Sequence, residues 1–248
     1  MLFNLINKTI GRAIRLFERM KDYPRYPVFI NEIHKKSLID SVNYAYEFFQ
    51  QAVYRSKRED LWDYCINLSR TSPVKSSKTQ PLVLEFGVWE GYSINYFGNK
   101  FQEAEILGFD SFLGLAEEWN GVLIQGGDGS NNGAYPKSSF NKNLKLPKVP
   151  PNVKLIEGYF HTTLPKISLE KPISIMHIDC DTYESSYYVL TQLAKKLVTG
   201  SIIIFDEYYG FTNWRAHEHK ALMDFSRTSK KDFKYIAYTS VHVAIQII

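Results

Sequence analysis

The chain has 248 residues, of which 44% are hydrophobic and 23% charged, with a net charge of +4. That length and balance suit one large α/β domain with room for an extension, and they exclude a disordered chain. So small a charge excess does not mark a nucleic-acid binder, and no zinc-finger spacing, RNA-recognition signature or basic–aromatic cluster is present.

No apolar run reaches the roughly 18 residues a membrane helix needs. Cys65 and Cys180 lie far apart with no CxxC spacing, so the expected setting is a reducing cytoplasm without disulfides.

The chain opens with LFNLINKTIGRAIRLFERM, residues 2–20. Apolar residues recur at Phe3, Ile6, Ile10, Ala13, Phe17 and Met20, and basic ones at Lys8, Arg12, Arg15 and Arg19. This spacing predicts a basic amphipathic helix and not a secretory signal. Its expected partner is the body of the protein or a second subunit, giving a homo-oligomer. A peripheral contact with an anionic membrane is the alternative. Further helices are expected over 32–55 and 58–69, so that residues 1–70 form a helical extension. A polar Ser/Thr-rich linker follows over 71–81.

After the linker, continuous apolar runs appear at 82–86, 106–109, 153–156, 173–178 and 202–205. Runs apolar on both faces predict parallel strands in a sheet covered on both sides. The last two runs, FKYIAYTS and VHVAIQII, stand too close for a crossover helix and should pair antiparallel. Five parallel strands plus such a hairpin resemble the Rossmann-like, seven-stranded sheet of class I methyltransferases. Residues 113–150 are rich in Gly, Asn and Pro and follow the second strand. Disorder and a lid are both compatible with that composition, and the position beside a ligand-binding edge favours the lid.

The chemistry-bearing motifs all sit at strand ends. VLEFGVWEGYS places Glu85 at the end of the first run, with Gly87 and Gly91 flanking a tight turn into a helix. Glycines there let backbone approach a ligand. The ExGxxxG pattern resembles the nucleoside-binding turn of S-adenosylmethionine (SAM) enzymes. Asp110, followed by Ser111, ends the second run, where an acid can accept both ribose hydroxyls of SAM or of NAD. Glu157, Gly158 and Tyr159 end the third run, at the expected adenine border. His161 is either a cleft residue or a structural one. Asp179 and Asp181 follow the fourth run, and Asp206 and Glu207 the fifth. Converging carboxylates call for a hard cation such as Mg²⁺. Asp179, Asp206 and Glu207 are the expected ligands.

DCDTYESS followed by GSIIIFDEY resembles the macrocin and demethyldescarbamoyl-novobiocin O-methyltransferases, which methylate sugar hydroxyls. GVWEG, FDSFLGL and EGYFHTTLP are similar to the same family. The resemblance covers residues 80–210. It implies a SAM- and Mg²⁺-dependent O-methyltransferase domain over 82–248, acting on a hydroxylated small molecule, with Asp181 as the catalytic base. It also implies SAM contacts from Glu85, Gly87, Gly91, Asp110, Ser111, Glu157, Gly158, Tyr159 and Asp179.

Two residues depart from the family pattern: Cys180 stands for Gly, and Glu207 for Asp. His217, Glu218 and His219 lie outside the pattern and are either pocket residues or a solvated helix face. The competing functions are a nicotinamide-dependent oxidoreductase, weakened by the missing GxGxxG, and a non-catalytic binding protein on the same fold.

Overall fold

The computed structural model describes residues 25–74, 80–115 and 145–248. The amphipathic segment 2–20 and most of the expected lid lie outside the described residues, as does the middle of the linker.

Eight strands form one sheet: β1 (Val53–Tyr54), β2 (Leu82–Phe86), β3 (Glu105–Asp110), β4 (Val153–Glu157), β5 (Ile175–Ile178), β6 (Ile202–Phe205), β7 (Phe233–Tyr238) and β8 (Val243–Ile247). Their order is β1-β7-β8-β6-β5-β2-β3-β4. Strands β6, β5, β2, β3 and β4 run parallel, and β8 pairs antiparallel with both β6 and β7. The expected count of seven is corrected by β1, whose Val53 and Tyr54 pair parallel with Ala237 and Tyr238. That pairing also ends the helix expected over 32–55, which here is α1 (Arg25–Phe48). The remaining helices are α2 (Arg58–Thr71), α3 (Tyr92–Lys100), α4 (Phe160–Thr163), α5 (Tyr183–Gln192) and α6 (Glu218–Ser229).

The parallel strands are buried because alternate residues feed two cores. Leu84, Met176, Ile178, Ile203 and Phe205 face one core with Val189 and Leu190 of α5 and Leu222 and Phe225 of α6. Val83, Ile175, Ile202 and Ile204 face the other with Leu61, Trp62, Cys65 and Ile66 of α2 and Ile94 and Phe97 of α3. Both cysteines are free and buried. Among the described residues no helix is long and apolar enough to cross a membrane.

Helix α1 is tied to the loop that follows β6. The Tyr44 hydroxyl lies 2.6 Å from that of Tyr235, which lies 2.6 Å from that of Tyr208. Gly210 N–H donates to Ser41 Oγ at 3.0 Å, and Arg215 pairs with Asp40 at 2.8 Å. The extension therefore braces the segment that carries Asp206 and Glu207.

Candidate active site

Register alone assembles the edge. Phe86 pairs with Phe109 on one side and Ile178 on the other, and Ile178 pairs with Phe205. The next residues along these strands are Gly87, Asp110, Asp179 and Asp206, so one row of the sheet presents the turn and three acids together. Ligands bind at this carboxyl edge in open α/β sheets.

The glycine turn is held by Asp110. Its Oδ2 accepts the N–H groups of Val88 and Trp89, each at 2.8 Å, and its Oδ1 accepts Phe112 N–H at 2.7 Å. Oδ2 is thereby filled, and Oδ1 keeps one lone pair for a hydroxyl. Trp89 and Phe112 take left-handed backbone, φ 47° and 53°. Such strain in non-glycine residues clusters at functional sites. Gly91 opens α3 with φ 85°.

Glu85 does not face the cleft. It is fully buried, its Oε1 accepts the Ser93 hydroxyl at 2.7 Å, and its Oε2 lies 3.6 Å from His177 Nδ1. Ser111 is likewise spent locally, donating to the Gly114 carbonyl and accepting Leu113 N–H. Glu157 is exposed at the end of β4, Gly158 N–H donates to the Asp110 carbonyl at 2.8 Å, and Tyr159 stacks on the exposed ring of His161.

Asp179 and Asp206 lie side by side. One ligand atom from each, with one from His177, falls within 4.8 Å of the others. His177 was hidden inside the apolar run of β5. Burial opposes its charge, but Asp206 and Glu85 against the ring outweigh that and push its pKa up to about 10. Without a cation His177 serves as a counter-charge; with one, its ring nitrogen stands within reach beside the oxygen donors Asp179 and Asp206. Burial, then the charge of Asp206, drives the Asp179 carboxyl well above its usual range. Burial works against Asp206 too, yet His177 and His242 beside it hold its carboxyl well below the usual range. Asp206 Oδ1, Glu85 Oε2 and Glu207 Oε2 are buried without a hydrogen-bond partner. An excess of hard, partly unpartnered oxygen donors fits a divalent cation.

Glu207 is not one of the three residues in that cluster, though the charges of Asp206 and Asp179 still act on it. Its carboxyl shares a hydrogen bond with Asp181, which lowers the pKa of Asp181 and raises that of Glu207. Burial is the largest influence on each and raises both. The pairing itself favours the proton on Glu207 and the charge on Asp181. Asp181 takes left-handed backbone, φ 61°, immediately before Thr182, which caps α5 by accepting Ser185 N–H. The positive end of α5 favours that negative charge.

His217, Glu218 and His219 are buried, which overturns the solvated-face alternative. Glu218 Oε2 accepts Glu207 N–H at 3.1 Å. Burial, then the charges of Asp181 and Asp206, raise its carboxyl well above the usual range. Through that hydrogen bond it steadies the Glu207 backbone. His242, which no motif flagged, brings Nε2 to 3.1 Å from Asp206 Oδ1. The antiparallel pairing of Phe205 with Val243 sets His242 opposite Asp206. That register is the signal that could have found it.

A family model described as Methyltransferase domain matches residues 84–208, half of the chain. The chain belongs to that family. Among solved structures, the O-methyltransferase NovP is 20% identical with a TM-score of 0.53, covering 76% of this chain and 78% of that one. The calicheamicin methyltransferase CalS11 is 18% identical with a TM-score of 0.52, covering 88% of this chain and 91% of that one. At such identities the likeness is one of fold, and the fold is that of the class I methyltransferases. No curated protein matches. The oxidoreductase alternative gives way to the methyltransferase reading.

Proposed function

We propose that this methyltransferase transfers the methyl group of SAM to a hydroxyl of a sugar or other small molecule, with a divalent cation such as Mg²⁺ beside the acceptor. The observation that carries this reading is the single row of Gly87, Asp110, Asp179 and Asp206, with Asp181 two residues beyond Asp179. NovP and CalS11, named as an O-methyltransferase and a calicheamicin methyltransferase, support the same chemistry.

Bound SAM would supply an electrophilic methyl group. Gly87 and Gly91 let backbone approach it, the free lone pair on Asp110 Oδ1 receives a ribose hydroxyl, and Gly158 and Tyr159 border the base. A bound cation would lower the pKa of an acceptor hydroxyl. Asp179 and Asp206 would hold it, and Glu207, whose Oε2 has no hydrogen-bond partner, is the further expected donor. Asp181 takes the acceptor proton as general base. Its raised pKa brings it nearer neutrality, where a base works best. Residues 1–70 then serve as the cap that selects the acceptor, and 113–150 as the lid.

The test is transfer of labelled methyl from SAM to a panel of glycosides and their aglycones, with Mg²⁺ or EDTA. Methylation confined to glycosides and lost in EDTA is expected. Binding of NAD in preference to SAM, or full turnover in EDTA, would overturn the corresponding part.

A further inference from the structure

His242 lies in the turn that joins β7 to β8. Thr239 N–H donates to the His242 carbonyl at 2.9 Å. The N–H groups of Val241 and His242 both donate to Thr239 Oγ1, at 3.2 and 2.9 Å. The ring atom Nδ1 of His242 lies 2.8 Å from that same oxygen. The other ring nitrogen, Nε2, faces Asp206 Oδ1 at 3.1 Å, tilted off a straight hydrogen bond.

A hydroxyl has two lone pairs and one proton. Two backbone N–H groups occupy the lone pairs of Thr239, so its proton is directed to Nδ1. An imidazole that accepts at Nδ1 carries its own proton at Nε2. We infer that Thr239 and His242 are a positioning pair: the Thr239 hydroxyl sets the tautomer of His242, and the Nε2–H of His242 orients the Asp206 carboxylate. This rests on Asp206 as part of the proposed site. With His242 and His177 both facing Oδ1, Oδ2 is the oxygen turned to neither ring and is the one left for a cation. Neighbours that orient a ligating carboxylate typically alter metal affinity by about 10–100-fold. The pair belongs to the closing hairpin, so the last strand of the sheet contributes directly to the site.

Two measurements on the full chain test the pair. Long-range ¹H–¹⁵N spectra report which ring nitrogen bears the proton, with His242→Phe identifying the signal by its loss. The native protein and Thr239→Ser should show a protonated Nε2, and Thr239→Val should shift the ring toward the Nδ1–H form. A native ring protonated at Nδ1 would overturn the inference. Titration with Mn²⁺ reads the consequence for Asp206. His242→Phe should bind about ten-fold or more weakly, while His242→Gln, which keeps an N–H near the same place, should recover most of the loss. Thermal unfolding midpoints verify that each variant is folded. Native Mn²⁺ affinity in folded His242→Phe would also overturn it. If the native protein binds no Mn²⁺, the metal part of the proposed function fails, and the ring spectrum alone upholds or overturns the pair.

Discussion

A Cβ placed on Gly87 would stand 1.7 Å from the carbonyl oxygen of Asp179, and Gly87 itself takes φ 93°. The glycine is demanded by the neighbouring strand end before any ligand arrives. Gly87→Ala should therefore unfold at a markedly lower temperature, with a cost of at least about 2–3 kcal/mol from backbone strain and displacement of β5. Thermal denaturation checks this. A variant of native stability that had merely lost SAM binding would place the steric conflict in the ligand cavity instead.

Asp110 should couple turn geometry to SAM affinity. It accepts three backbone N–H groups, two from the glycine turn. Asp110→Ala should weaken SAM binding by roughly 1.5–3 kcal/mol, the scale of hydrogen bonds to a charged group, and loosen the turn as well. Asp110→Asn has one acceptor oxygen in place of two and should fall between. Calorimetric titration measures affinity, and hydrogen exchange at Val88 and Trp89 measures the turn. Unchanged exchange with reduced affinity would confine Asp110 to ligand contact.

Much of this architecture is legible in sequence. The parallel strands announce themselves because every residue of β2, β5 and β6 is buried, so the runs are apolar but for Glu85 and His177. β1 leaves no such trace: two exposed residues carry no period. The acids at the strand ends are also legible, since each follows its run directly. Their partners are not. His177 lies within an apolar run, and only the surrounding carboxylates make it a cation. Glu207 is adjacent to Asp206 in sequence, yet successive residues at a strand end point in different directions, and it meets Asp181 instead. Side-chain direction, which composition does not encode, separates an expected ligand set from the observed pairs.

His219 should make the fold acid-sensitive. Its ring packs edge-on against Tyr44, Tyr208 and Trp214 at 5.0, 5.3 and 4.8 Å. Burial, aided by Arg215, lowers its pKa from 6.5 to about 4. The unfolded chain binds a proton at this residue below pH 6.5, while the folded chain does not until about pH 4. The contribution of His219 is therefore complete above pH 6.5 and is lost as pH falls through that window, up to about 3 kcal/mol. Denaturant titrations at pH 7, 5.5 and 4.5 should show a shallower acid loss in His219→Gln than in the native protein. Parallel pH curves would mean that His219 titrates alike folded and unfolded.

The two acids of DCD should fail in different ways. Asp179 stands next to Asp206, where two buried carboxylates repel unless a cation lies between them. Asp179→Ala removes one of the oxygen donors and should lose divalent-ion binding and turnover together. Asp181 is paired with Glu207, and the pairing favours the charge on Asp181. Asp181→Asn keeps the volume and the hydrogen bond to Glu207 but cannot take up a proton. It should bind SAM and Mn²⁺ as the native protein does and lose about two orders of magnitude or more in turnover, the usual contribution of a positioned base. Glu207→Gln supplies the control. An amide N–H still donates to Asp181 and favours its charge, and turnover should fall much less than in Asp181→Asn. Single-turnover methyl transfer at saturating SAM, with Mn²⁺ binding measured on the same samples, separates the three variants. Near-native turnover in Asp181→Asn would remove it as the base. Equal losses in Asp181→Asn and Glu207→Gln would mean that the pair serves the site only as a structural hydrogen bond.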